Sequence, residues 1–253
     1  MNQCNIHLFD LPNEILLIIL KKLDNIDVLY SLFGINNERL DNLVQEDVFT
    51  NTLNFARTSS ITDNKLDQFC TYILPQSHHC IKKLVLETIS MKRILLAGDY
   101  PNLTSLELFR FGQEQISHFR DGSVFRHIFQ YQITDLILHN DDEYIKNEAF
   151  QSWNLDEWES DENSSYSVIE YSHLTSLDIT CVNKDYVVQF LLETKTHLPR
   201  LTELKVNYHR LKIATMNFTR DKTRHNCSNV KRLIVVEAPK VFSQEFYQYF
   251  PSL

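Results

Sequence analysis

Chemistry in this chain would have to start from its histidines and cysteines. His78-His79-Cys80, with Cys70 upstream, is the tightest His/Cys group, and His225 with Cys227 is a looser second one. A structural zinc needs about four such ligands, paired across short loops of two to four residues. Neither group has that spacing, so both read as isolated or helix-end residues and no metal is expected. Serine, histidine and aspartate are plentiful, but no G-x-S-x-G nucleophile elbow is present. The four glycines stand at 34, 98, 112 and 122, where average usage would supply roughly eighteen. No two lie closer than ten residues, so neither a G-x-G-x-x-G dinucleotide turn nor a Walker-type phosphate loop can be written. The expectation is a protein without a cofactor that makes and breaks no bonds itself.

The charge excludes a second group of functions. Twenty-five Lys and Arg against 33 Asp and Glu leave −8, the wrong sign for a partner with a phosphate backbone. The five cysteines (4, 70, 80, 181, 227) are odd in number and contain no C-x-x-C, which suits free thiols in a reducing compartment. The strongest N-terminal apolar run, Ile15 to Leu20, is six residues, against roughly eighteen or more for a membrane span. The chain therefore reads as cytoplasmic, nuclear or both, with no nucleic-acid or membrane partner. Two blocks depart from the average: ten acids against Lys146 alone between Asp141 and His173, with Trp153 and Trp158 inside, and ten bases against three acids between Arg200 and Lys240. The first reads as an inserted loop. The second, densest at Arg220-Asp-Lys222-Thr-Arg224-His225, reads either as a basic loop complementing it or as an Arg cluster for a phosphorylated target.

The first fifty residues spell three short helices. Pro12 sits at the first turn of one, where its missing N–H costs nothing, and Glu14 lies near the positive end of the dipole. Asp24-Asn-Ile-Asp27 ends that helix and caps a second, Val28 to Phe33; a third runs from Glu38 to Val44. The first helix is apolar nearly all round, with Ile15, Leu16, Ile19, Leu20 and Leu23 on one side and Leu17 and Ile18 on the other. Two companion helices cannot cover that much apolar surface, so something else must.

Leu11-Pro12-Asn13-Glu14, the aliphatics Ile15, Leu16, Ile19 and Leu20, and Leu23-Asp24-Asn25-Ile26-Asp27-Val28 together resemble the F-box, the helical module that docks the Skp adaptor of cullin–RING (SCF) ubiquitin ligases. The resemblance covers residues 8 to about 48 and is carried by the first half. The second half departs from the family's pattern, with Gly34, a lone Arg39 and no Trp. It implies that Leu11, Pro12, Ile15, Leu16, Leu17, Ile19, Leu20 and Val28 face a Skp-type adaptor and, through it, a cullin.

From residue 50 onward the chain repeats itself. Leu103-Thr-Ser-Leu106-Glu-Leu108, Ile133-Thr-Asp-Leu136-Ile-Leu138, Leu174-Thr-Ser-Leu177-Asp-Ile179 and Leu201-Thr-Glu-Leu204-Lys-Val206 share one formula: aliphatic, Thr, a Ser or acid, Leu, any residue, aliphatic. Ile81-Lys-Lys-Leu84-Val-Leu86 and Val230-Lys-Arg-Leu233-Ile-Val235 are looser copies, and Leu53-Asn-Phe55 is a degenerate first. Leu, Ile and Val make up about a quarter of the chain, so the bare aliphatic pattern recurs by chance; the shared Thr and its acidic or Ser neighbour do not. First positions at 81, 103, 133, 174, 201 and 230 give steps of 22, 30, 41, 27 and 29. These surround the 20 to 29 residues of leucine-rich repeats, which this region resembles. Helices are expected at 64–74, 91–96, 124–129, 184–194 (after an Asn183 cap) and 242–250. The residues after each strand (Ile89, Phe111, Asp141, Val182, His209, Ala238) supply no Asn ladder, so the winding should be irregular.

The expected fold is thus α+β or α/β. A three-helix F-box-like module over 1–48 precedes an irregular leucine-rich-repeat solenoid over 49–253, with parallel strands on the concave side and helices on the convex side. Phe250-Pro-Ser-Leu253 copies the run-in at Leu198-Pro-Arg-Leu201 and reads as the start of an eighth unit. Period-2 alternation sends the strand aliphatics inward and leaves Lys83, Val85, Glu87, Ser105, Glu107, Phe109, Asp135, Ile137, His139, Ser176, Asp178, Thr180, Glu203, Lys205, Asn207, Arg232, Ile234 and Val236 on the concave face. Among these, Glu107, Phe109, Asp135, His139, Asp178, Lys205 and Arg232 are the candidates for gripping an unidentified protein target. The expected function is a non-catalytic substrate-recognition subunit of an SCF-type ligase, acting by proximity. The alternative is a repeat scaffold whose N-terminal helices only cap the solenoid.

Overall fold

The computed structural model describes residues 8–35, 37–56, 61–111, 124–140 and 168–253. The acidic block with both tryptophans lies mostly outside them. The chain divides into two compact units, Met1–Leu103 and Thr104–Leu253; the expected boundary between 48 and 49 lies within the first.

In the first unit, α1 (Asn13–Leu20) follows Pro12, and α2 (Asn25–Leu32) is capped by Asp24, whose carboxylate accepts from Ile26 N at 3.1 Å. Gly34, at φ +75°, turns the chain out of α2 in a conformation that strains a residue with a Cβ. The side chain of Asn37 then caps α3 (Glu38–Val44) through Leu40 N. A short α4 (Asp47–Thr50) leads into β1 (Thr52–Asn54), which pairs in parallel with β2 (Lys83–Glu87), Leu53 opposite Leu84. Between them, the helix expected over 64–74 runs longer and in pieces. It comprises α5 (Asp63–Gln68), a π-helical turn (Phe69–Ile73) and α6 (Leu74–Ser77). Pro75 supplies the reason for the break, since it has no N–H to continue the ladder. The helix after β2, α7 (Thr88–Leu95), starts earlier than expected.

The second unit is built on five parallel strands in chain order: β3 (Ser105–Phe109), β4 (Asp135–His139), β6 (Ser176–Cys181), β8 (Glu203–Asn207) and β9 (Arg232–Val236). Helices stand between them: α8 (Val124–Tyr131), α9 (Lys184–Leu191), and α10 (Tyr208–Ala214) with α11 (Asp221–Cys227); α12 (Gln244–Tyr249) follows β9. Asn183 caps α9 through Asp185 N and Tyr186 N, as its position suggests. The basic segment Arg220 to His225 is the helix α11 with its cap, not a loop. A second, two-stranded parallel pair, β5 (Ile169–Glu170) with β7 (Thr196–His197), was not legible in the sequence.

Strand register follows the repeat formula: Leu106 lies beside Leu136, Leu136 beside Leu177, Leu177 beside Leu204, and Leu204 beside Leu233. The recurring Thr explains this alignment. The carbonyl of Thr104 accepts from Thr134 N and Asp135 N, that of Thr134 from Thr175 N and Ser176 N, and that of Thr175 from Thr202 N and Glu203 N. Each later Thr adds its hydroxyl to the same carbonyl, at 3.2, 3.0 and 3.2 Å. Thr202 in turn accepts from Lys231 N and Arg232 N, and in the first unit Asn51 serves Lys82 N and Lys83 N alike. Leu106, Leu108, Leu136, Leu138, Leu177, Ile179, Leu204 and Val206 are buried, while the alternate residues Ser105, Glu107, Asp135, Ile137, Ser176, Asp178, Glu203 and Lys205 are half-exposed. One face of the sheet is core and the other is not. The fold is α/β with parallel strands.

Two candidate interaction surfaces

The first surface is one side of α1. Leu16 and Leu20 are 1% and 4% exposed and Val28 is 1% exposed, so these three expected adaptor contacts belong to the core of their own unit and are not available to a partner. Residues 16 and 20 are one turn apart and point the same way, leaving the opposite arc to Ile15, Ile18 and Ile19 at 43%, 59% and 38% exposure. Pro12 is exposed, and Leu11 and Leu17 are half-buried. Ile18 and Leu23 (53% exposed) therefore join the surface. A helical wheel drawn from two buried residues would have separated the two arcs; apolar content alone could not. The start of α1 is pinned from α3: Arg39 donates through Nε to Asn13 Oδ1 at 2.6 Å and through Nη2 to the Leu11 carbonyl.

The second surface is the half-exposed face of the five strands. Its seven expected target contacts fall into two clusters. At β3 and β4, His139 Nε2 lies 3.1 Å from Glu107 Oε1, and its ring stacks on Phe109 with centroids 4.2 Å apart and planes 15° from parallel. Asp135 accepts from the Ser105 hydroxyl at 2.8 Å. Further along, Lys205 Nζ sits 3.8 Å from Asp178 and 3.5 Å from Glu203, and Arg232 donates to Glu203 at 3.0 Å. Glu203 thus joins two of the expected cations and is the hub of the cluster, a role its sequence position alone does not give it. Asp178 also accepts from Thr180 N and Oγ1. Two expected face residues are instead buried. Val85 is 5% exposed, and Asn207, 9% exposed, turns its side-chain oxygen to cap α10 through His209 N and Arg210 N.

These pairs sit at roughly 20–30% exposure, so screening is incomplete but the interactions remain modest. The face can offer paired charges, one exposed guanidinium and an aromatic plane. Among the described residues no three His, Cys, Asp or Glu gather as a metal set, and no helix is long and apolar enough to cross a membrane. Burial, opposed by the Arg93 guanidinium, pushes the Cys70 thiol above its usual range. The side-chain Nδ1 of His78 is buried without a hydrogen-bond partner. Neither group has the surroundings of an activated nucleophile or base. Compared with known proteins, the chain matches no family model, no curated protein and no solved structure.

Proposed function

We propose that the chain is a substrate-recognition subunit of an SCF-type ubiquitin ligase. The exposed arc of α1 docks a Skp-type adaptor, and the half-exposed strand face of an irregular leucine-rich-repeat solenoid binds the protein to be modified. The observation that supports this reading best is the division of α1: a short helix spends Leu16 and Leu20 on its own core and still presents Ile15, Ile18 and Ile19 to solvent. Contiguous exposed aliphatics at helical spacing mark a binding face. Catalysis belongs to other subunits, and this one contributes effective concentration.

A capping scaffold is the second reading. It is favoured by Asn25, whose side-chain amide donates to the carbonyls of Val48 and Thr52 at 3.1 and 3.0 Å and so ties α2 to β1. Deleting residues 1–48 does not separate the two, since either way it strips cover from Phe49 and Leu53, both 0% exposed. Surface substitution does. Ile15→Lys with Ile19→Lys leaves the core intact; co-purification of a Skp adaptor with the wild type and its loss in the double variant, at unchanged melting temperature, is the expected result. A wild-type chain that retains no adaptor leaves only the scaffold.

A further inference from the structure

Arg220, immediately before α11, is 8% exposed, and its Nη1 is buried with no hydrogen-bond partner. Among the described residues no carboxylate lies within ion-pair distance of its guanidinium. A guanidinium cannot escape burial by losing its proton, and a buried charge without a counter-charge is costly. The backbone nevertheless holds Arg220 in place from several sides. Its N–H donates to the Thr215 carbonyl at 3.0 Å, and its own carbonyl accepts from Thr223 Oγ1 at 3.0 Å and from Tyr249 Oη at 3.3 Å. The turn that delivers the chain to this point, Met216-Asn217-Phe218, runs at φ +50°, +57° and +64° without a glycine, a conformation that L-residues adopt singly and at a cost.

A second guanidinium stands beside the first. Arg224, one turn on and so on the same side, lies 5.6 Å from the Tyr249 ring centroid with its side chain 46% exposed. Burial raises the Tyr249 hydroxyl above its usual range, and Arg224 and Arg220 both oppose that rise, so both cations lie within electrostatic reach of one hydroxyl. Asp221 Oδ1 is 3.7 Å from Arg224, but its side chain is 88% exposed and offsets little of two positive charges. We propose that Arg220 and Arg224 form a site for a phosphate-type dianion, either free phosphate or a phosphorylated side chain of a partner polypeptide. A carboxylate has two oxygens and is satisfied by one guanidinium fork; a phosphate group has three, with nearly two charges, enough to answer both. The half-exposed Arg224 meets the dianion at the surface and Arg220 supplies the deeper contact. Asn226 ties α11 to α9 by donating to the Leu191 carbonyl at 3.1 Å, so the site belongs to the helical layer and is separate from the half-exposed strand face.

The test uses the full chain at neutral pH, in thermal melts and calorimetric titrations with sodium phosphate against sodium chloride of equal ionic strength. Phosphate should raise the melting temperature saturably and chloride should not. Arg224→Gln, at a half-exposed position, should leave the melt in chloride unchanged and weaken phosphate binding about tenfold. Arg220→Met should melt no lower than the wild type in chloride, because it removes an unpaired buried charge, and should lose the response to phosphate. Arg220→Lys keeps the charge without the fork and should not restore full binding. A Gly-Ser-Gly peptide phosphorylated on its serine separates the sources: tighter binding than inorganic phosphate assigns the site to a phosphorylated polypeptide, and no gain over inorganic phosphate assigns it to the free ion. Three results would each overturn the proposal: a wild-type melt that phosphate does not shift, a shift that Arg224→Gln and Arg220→Met leave unchanged, or an Arg220→Met chain destabilised equally in both salts, which would show a packing role alone.

Discussion

The hydroxyl of Thr175 donates to the carbonyl oxygen of Thr134 at 3.0 Å, across a gap of 41 residues. The same carbonyl receives Thr175 N and Ser176 N, so one oxygen fixes where β6 begins relative to β4. Thr175→Val keeps the shape and loses the hydroxyl; the expected cost is about 1 kcal/mol in urea unfolding, with Thr175→Ser close to wild type. Equal losses for Val and Ser would mean that the methyl group, not the hydroxyl, matters.

Asn226 makes several hydrogen bonds within the core of the second unit. It is 1% exposed, accepts from Leu198 N at 3.0 Å and donates to the carbonyls of Leu191 and Thr196 at 3.1 and 2.7 Å. Asn226→Ala strands these groups in the core and should cost about 3 kcal/mol. Asn226→Asp, which turns a carboxylate toward two carbonyls, should be worse at neutral pH and should recover partly in acid, where the carboxyl is protonated. Thermal melts across pH distinguish the two variants.

Gly98 packs against His78 so closely that an added Cβ would lie 2.6 Å from the His78 Cβ. Gly98→Ala should therefore destabilise the first unit by about 1–3 kcal/mol. His78→Ala retains the offending atom and should give no relief, while His78→Gly should; a double-mutant cycle measures the difference.

The thiols sort by burial. Cys181 is exposed, whereas burial pushes the Cys227 thiol far above its usual range. An aromatic disulfide reagent at pH 8 should label Cys181 quickly and reach Cys227 only on unfolding. Prompt labelling of Cys227 in the native protein would indicate that α11 opens locally.

The repeat formula made the strand spacing legible, because a short motif fixed at both aliphatics leaves little freedom of register. The cap Asn183 was equally readable, since it acts on the next two or three residues; Asp24 caps a helix that starts at Asn25, three residues before the expected start at Val28. The rest depends on contacts distant in sequence. Nothing local distinguishes Leu16 from Ile15 until the unit has packed, with one buried and the other left exposed. Arg39 reads as a lone cation until Leu11 and Asn13 are seen at its end of α1. Asn226 has its partners, Leu191, Thr196 and Leu198, in the segment some thirty residues earlier, out of reach of any local pattern. The two-residue strands β5 and β7 are too short to carry a period.

Because each strand of the second unit is held by a register equal to the repeat spacing, its resistance to force is divided into parcels of unequal length. The partners are 30, 41, 27 and 29 residues apart. At about 3.4 Å per extended residue, the parcel between β4 and β6 releases about 140 Å of chain, and the one between β6 and β8 about 90 Å. Pulled from its ends, the unit would pay out like a rope with knots at uneven intervals, and the longest slack would mark the acidic, tryptophan-bearing stretch.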